Sequence, residues 1–115
     1  MTTTLSARTG LNYAQGTVTA TDETITLTKL LVHGGLAIQL SGTWSGTITF
    51  ETTVDGTNWV AFNMTPSNSG TDASTATANG AWSKLNGGYA GLRGRFSTAS
   101  SGTPTIAIRC NPNSK

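Results

Sequence analysis

The sequence has few cysteines, histidines and charged residues, and each of these shortages excludes a class of site or partner. A single cysteine, Cys110, means that no disulfide can form within the chain. A single histidine, His33, excludes any metal site that needs two histidine ligands. No apolar run approaches the length that spans a bilayer, so we expect no membrane partner. Only 10% of the residues are charged, without the clustered Lys and Arg that nucleic-acid binding needs.

Threonine, glycine, serine and asparagine fill the sequence instead. Threonine makes up about a fifth of the 115 residues, and its β-branched side chain favours strands. All four residue types are poor in helix interiors, so long helices are not expected. The length fits one domain with a modest core. The composition therefore predicts a single all-β domain.

Apolar and polar residues alternate along much of the chain, as in strands that bury one face. In the clearest strand, Ile48, Phe50 and Val54 are predicted to point inward. The Asp55-Gly56 pair that follows predicts a tight turn. Strands are predicted at 24–28, 36–40, 47–54, 59–64, 82–85, 89–98 and 105–110, with a weak edge strand at 75–78.

These roughly seven or eight short strands predict an antiparallel β-sandwich, with either jelly-roll or immunoglobulin-like connectivity. We expect residues 24–110 to form the sandwich, residues 1–23 an extended N-terminal arm, and residues 111–115 a C-terminal tail. The apolar residues of the polar arm, Leu5, Leu11 and Tyr13, are predicted to dock on a neighbouring protein. A frayed terminus is the alternative interpretation.

The residue types that could act in catalysis are expected to have structural roles in this sequence. His33 precedes two glycines and is expected to face solvent at a strand end. Cys110 is in phase with Ile106 and Ile108 and is expected to be a small buried residue. The acidic residues lack calcium-loop spacing, and no glycine-rich phosphate loop is present. The sequence therefore predicts no enzyme, no catalytic residue, no metal and no cofactor.

Arginine and tryptophan provide the candidate contact residues. Arg93, Arg95 and Arg109 are predicted to project from one face of paired strands. A solvated outer face is the default interpretation, but three arginines in register in a chain with so few charges indicate a contact patch. Among the three tryptophans, Trp44 lies in a predicted turn and is expected to be the most exposed. The other two are expected in the core or in a subunit interface.

Four segments resemble a β-sandwich module of virion proteins from tailed bacteriophages. They are 40–51 (LSGTWSGTITFE), 54–59 (VDGTNW), 77–82 (TANGAW) and 91–95 (GLRGR), and the likeness covers roughly residues 24–110. The resemblance implies that the tight turns, the tryptophans and the arginine strand are structural. It implies no enzymatic activity.

Because the module stands nearly alone in this short chain, the resemblance favours a head decoration (cement) protein that binds and stabilises the capsid. It implies the major capsid protein or other virion proteins as partners, and a homo-oligomer, with a trimer favoured. The expected location is the virion, on the head surface, after synthesis in the host bacterial cytoplasm. The alternative is a tail or baseplate module that holds host carbohydrate through Trp44 or the long loop at 66–78.

Overall fold

Short β-strands make up the whole regular structure of the residues that the computed structural model describes, which are 8–10, 13–28, 35–68, 70–85 and 89–110. No helix occurs within these ranges. The strands are β1 (Arg8–Gly10), β2 (Tyr13–Thr17), β3 (Thr24–Thr28), β4 (Gly35–Ser41), β5 (Trp44–Thr53), β6 (Val60–Ala61), β7 (Thr65–Pro66), β8 (Thr75–Ala76), β9 (Gly80–Leu85), β10 (Gly91–Gly102) and β11 (Thr105–Cys110).

The strands form two antiparallel sheets with jelly-roll connectivity. The six-stranded sheet has the order β1-β2-β11-β4-β9-β7, and the five-stranded sheet has the order β3-β10-β5-β6 with β8 also paired to β5. Nearly every connection, including β2–β3, β4–β5 and β10–β11, passes from one sheet to the other. This interleaving is typical of a jelly roll, whereas immunoglobulin-like sandwiches keep several consecutive strands in one sheet. The predicted sandwich is confirmed, and the structure selects the jelly roll.

Alternate side chains of both sheets meet in one core, as the sequence pattern predicts. Phe50, Phe96 and Cys110 are completely buried. The sheets approach so closely at Gly94 that a β-carbon there would lie 3.1 Å from Ile106 Cγ2. A side chain at this inward position of β10 would therefore force Ile106 or Ile38 to shift.

The turn after β5 forms as predicted. Asp55 Oδ1 accepts hydrogen bonds of 2.8 Å from the backbone N–H groups of Thr57 and Asn58. These bonds from Asn58 and Thr57 hold the pKa of the Asp55 carboxyl well below its usual range. Gly56 adopts φ +83°, a left-handed conformation that glycine reaches without steric cost. The Asp-Gly pair therefore supplies both features of the turn.

The prediction of an extended arm over residues 1–23 is wrong from Tyr13 onward. Strand β2 pairs with β11 inside the six-stranded sheet, and Ala14 and Val18 are buried in the core. The sequence hides this strand because its inward positions carry only Ala14 and Gly16, which give no strong apolar alternation. Leu5, Leu11 and the 111–115 tail lie outside the described residues.

Two predictions around the Asp55 turn also need correction. Val54 was expected to point inward, but it is 69% exposed because β5 ends at Thr53 and the chain then bends. The predicted strand at 59–64 shortens to β6, although Phe62 and Met64 beyond it are buried. The weak edge strand is confirmed as β8, which pairs with β5.

We predict that Val18→Ala destabilises the protein by about 2 kcal/mol, because it leaves a cavity beside the core. Val54→Ala is the matched control, and its free energy of unfolding should stay within about 0.5 kcal/mol of wild type since the side chain is exposed. Urea denaturation measures both. Equal midpoints for the two variants would mean that the N-terminal segment is not part of the sandwich.

Candidate functional site

A network of ion pairs between side chains of this chain lies on the outer face of the five-stranded sheet. Arg93 Nε donates to Glu51 Oε1 at 2.7 Å, and Arg95 Nη2 donates to Glu51 Oε2 at 3.0 Å. Arg95 Nη1 also reaches Asp22 Oδ1 at 2.7 Å. We call these four residues the Glu51 network. Arg93 lies directly opposite Glu51 in the β5–β10 register, so sheet pairing itself brings them together.

The Glu51 network satisfies its own charges. The Glu51 side chain is only 9% exposed. Burial alone would raise the pKa of its carboxyl, but hydrogen bonds from Arg95 and Arg93 outweigh burial and lower that pKa. The hydrogen bond to Glu51 raises the pKa of Arg95 in turn. The Arg93 guanidinium also stacks 4.5 Å from the Trp59 ring. These arginines therefore stabilise the sheet.

The outer face of the six-stranded sheet carries an open depression of about 320 Å³. We call it the trough. Its lining side chains are Tyr13, Gln15, Ala37, Gln39, Ala81, Ala107 and Arg109. They come from the outward positions of four neighbouring strands, β2, β11, β4 and β9.

Strand register arranges the trough in two rows. Ala107 stands between Gln15 and Gln39, and Gln39 is followed by Ala81 on β9. In the second row Arg109 stands between Tyr13 and Ala37. The short side chains of Ala37, Ala81 and Ala107 form the bottom of the trough, which we call the floor. The longer side chains of the two glutamines, Tyr13 and Arg109 extend further from the sheet.

Arg109 is held at the side of the trough by an aromatic ring. Its guanidinium carbon lies 5.0 Å from the centre of the Tyr13 ring, within cation–π range. The Tyr13 hydroxyl in turn donates to Gln15 Oε1. Pairing of β2 with β11 positions all three residues.

The chain's five acidic side chains all have contacts elsewhere. Glu51 and Asp22 bind arginines of the Glu51 network, Glu23 accepts from the Thr19 backbone, Asp55 closes its turn, and Asp72 pairs with Lys84. Among the described residues, Arg109 therefore has no carboxylate partner. It differs in this respect from Arg93 and Arg95.

The three arginines do not form the single patch that the sequence predicts. Arg93 and Arg95 lie on β10 in the five-stranded sheet, whereas Arg109 lies on β11 in the other sheet. The connection between these consecutive strands crosses the sandwich, so their outward faces point in opposite directions. Arg109 instead joins Tyr13, which the sequence also singled out.

Trp44 is less exposed than predicted. Like the other two tryptophans it is partly buried, and its ring packs edge-on against Phe96 with centroids 5.9 Å apart. Its indole N–H donates to Asn79 Oδ1 at 2.6 Å, and Asn79 donates on to the Gly42 carbonyl at 3.0 Å. Trp44 therefore fixes the corner where two loops meet. Trp82 contacts Phe50 beside the core, as expected.

Gln15, Gln39 and the floor alanines were not singled out from the sequence. Gln39 and Ala37 occupy outward positions of a predicted strand, so their shared face could have been recognised. Gln15 could not, because its segment has no clear strand pattern.

The described residues contain no group of three or more His, Cys, Asp or Glu side chains that could hold a metal ion. Burial raises the pKa of the Cys110 thiol, which disfavours the reactive thiolate. His33 lies outside the described residues. No helix among the described residues has the length and apolar character needed to cross a membrane.

No protein-family model matches the sequence, and no curated protein matches it. Solved structures do share the fold. The SPBc2 prophage-derived protein YomS superposes with a TM-score of 0.64 at 15% identity, covering 86% of this chain and 95% of that one. The Yersinia pseudotuberculosis-derived mitogen superposes with a TM-score of 0.51 at 11% identity, covering 92% of each chain. At such identities the likeness shows a common fold.

We predict that Glu51→Gln lowers the free energy of unfolding at pH 7 by about 1–3 kcal/mol, because Arg93 loses its counter-charge and Arg95 keeps only Asp22. Despite burial, hydrogen bonds from Arg95 and Arg93 lower the folded-state pKa of Glu51 below the value of a glutamate in the unfolded chain. The contribution of Glu51 to stability is therefore fully present above that unfolded-state pKa and is lost as the pH falls through the folded-state pKa. The difference between variant and wild type should shrink accordingly in acid.

Asp72→Asn is the control for this prediction, since its salt bridge with Lys84 is exposed. It should change stability by less than about 1 kcal/mol. Denaturant titrations at pH 7 and at pH 3 measure both variants. A Glu51→Gln protein as stable as wild type at pH 7 would contradict a stabilising role for the network.

Proposed function

We propose that this chain is a non-enzymatic structural protein of a tailed-bacteriophage virion, a head decoration protein that binds the major capsid protein. The jelly roll supports this proposal because it spans most of the chain and is shared with a prophage-derived protein over 95% of that protein's length. The virion-module resemblance of the 40–51 and 91–95 segments points the same way. Jelly rolls are frequent in viral particles.

The proposal that the protein is not an enzyme rests on the contacts that its carboxylates make within the chain. General acid–base catalysis needs a carboxylate or histidine within reach of a substrate. Here the Glu51 network, the Asp55 turn and the Asp72–Lys84 pair engage carboxylates in structural contacts. The outer faces of the sandwich instead offer surfaces for binding.

The proposed assembly is a homo-oligomer, with a trimer favoured. Val54 and Val60 are 69% and 60% exposed at the β6 edge of the five-stranded sheet. Exposed apolar residues beside an open strand edge are commonly covered by another chain. A symmetric contact between copies would bury them.

We predict that the purified protein is a trimer by light scattering, and that Val54→Asp with Val60→Asp shifts it to monomer. The added charges would have to be buried in the interface, which is unfavourable. Thr77→Asp with Thr103→Asp adds the same charge at exposed positions and should leave the trimer intact. A monomeric wild-type protein would contradict the proposed assembly.

A second candidate function is that of a tail or baseplate module that binds carbohydrate. The trough favours it, since small-ligand sites are concave, partly apolar and about 300–1,000 Å³ in volume. The trough is better suited to this role than Trp44, whose indole N–H already bonds Asn79.

The location of the chain on intact particles tests both candidates. We predict density for this chain at the capsid surface in a reconstruction of phage particles whose genome encodes it. That density should be missing from particles produced after the gene for this chain is deleted. Adding the purified protein to these particles should restore the density. Density confined to the tail would support the second candidate, and particles that never contain the chain would overturn both.

A further inference from the structure

We infer that the trough binds an acidic saccharide, whose carboxylate pairs with Arg109 while its sugar ring lies on the alanine floor. The inference deepens the second candidate function by naming a ligand class. It holds for a protein on either the head or the tail, so it is tested on the purified chain.

The shape of the trough fits a sugar ring. Ala37, Ala81 and Ala107 place three methyl groups on adjacent strands, with taller side chains beside them. A floor of methyl groups offers a small apolar surface to the C–H face of a pyranose. Its volume of about 320 Å³ suits a short saccharide.

The amides of the trough fit the hydroxyl groups of such a ligand. Gln39 lies between Ala107 and Ala81 in the strand register. Gln15 lies on the other side of Ala107, where its Oε1 already accepts from the Tyr13 hydroxyl. Each amide carries both a donor and an acceptor group. Sugar hydroxyls also donate and accept, which makes amides suitable partners for them.

Arg109 favours a ligand that carries a carboxylate. Each of the five acidic side chains contacts another group, so Arg109 has no carboxylate partner among the described residues. The Tyr13 ring holds the guanidinium beside the trough. A guanidinium held in this way can bind a carboxylate through two parallel hydrogen bonds.

The strand pairing disfavours an extended peptide as the ligand. Strands β2, β11, β4 and β9 each have a hydrogen-bonded neighbour on both sides. Their backbone groups are used in the ladders, so a peptide cannot join as an added strand. Only side chains remain for recognition, and they match hydroxyls, a ring face and one carboxylate.

The test is titration calorimetry of the purified chain with oligogalacturonate, maltohexaose and poly-L-glutamate as probes. We expect oligogalacturonate to bind at least about tenfold more tightly than maltohexaose. Arg109→Gln should weaken oligogalacturonate binding by about tenfold or more, the usual effect of losing a charge-assisted pair. Ala107→Trp should abolish it by filling the trough.

Two control variants test whether a loss of binding is specific to the trough. One removes a positive charge elsewhere, and the other adds a bulky side chain elsewhere on the surface. Lys84→Gln removes the same charge from another site, and Ala78→Trp adds the same bulk at an exposed position outside the trough. Both should bind within about twofold of wild type. Should Ala107→Trp fail to fold, as judged by its thermal midpoint, Gln39→Ala takes its place and should weaken binding.

Three results would overturn the inference. The first is no binding of oligogalacturonate by wild type, and the second is binding that Arg109→Gln leaves unchanged. The third is binding of poly-L-glutamate at least as tightly as oligogalacturonate, which would assign the trough to an acidic protein partner. None of these results bears on where the chain lies in the particle, so failure here stays distinct from failure of the proposed capsid role.

Discussion

Burial of one face of each sheet against the other is the constraint on which the rest of this structure depends. The described part of the chain has no helix to cover a sheet, and a single cysteine cannot cross-link the chain. Every second residue of the main strands is therefore committed to one shared interior. The close approach at Gly94, where the backbone of β10 meets Ile38 and Ile106 of the other sheet, shows how little space remains. Because the inward positions form the core, the outward positions remain for other contacts, such as the Glu51 network and the trough.

The two outer faces use this freedom in different ways. On the five-stranded sheet, Glu51 is shared by two arginines, so the charges of that face balance one another and hold β5 to β10. On the six-stranded sheet, Arg109 faces the ring of Tyr13 and not a carboxylate. Among the described residues Arg109 has no carboxylate partner, and for this reason we propose that its hydrogen-bond donors bind a ligand. The two faces therefore differ in whether their arginines pair with carboxylates.

The sequence predicts those parts of the fold that depend on local pattern. Alternation around Phe50 and the Asp55-Gly56 turn lie within a few residues of one another, and both are confirmed. It does not predict features that arise from pairing between distant segments. Strand β2 has small inward residues and becomes a strand because β11 lies beside it. The separation of Arg109 from Arg93 likewise follows from a connection that crosses the sandwich, which alternation alone does not reveal.

The floor of the trough is the feature that local pattern explains least. Alanine is depleted in strands and gives an outward position little to pack against, whereas threonine is favoured there. This chain places threonines at outward positions of its other sheet, as at Thr24, Thr26 and Thr49. At the centre of the six-stranded sheet it has Ala37, Ala81 and Ala107 at outward positions of three adjacent strands, with Gln39 between Ala107 and Ala81. Strand stability alone does not account for three alanines at adjoining outward positions. The proposed ligand site would account for them, because small side chains keep that surface low enough for a ligand to reach the amides and Arg109.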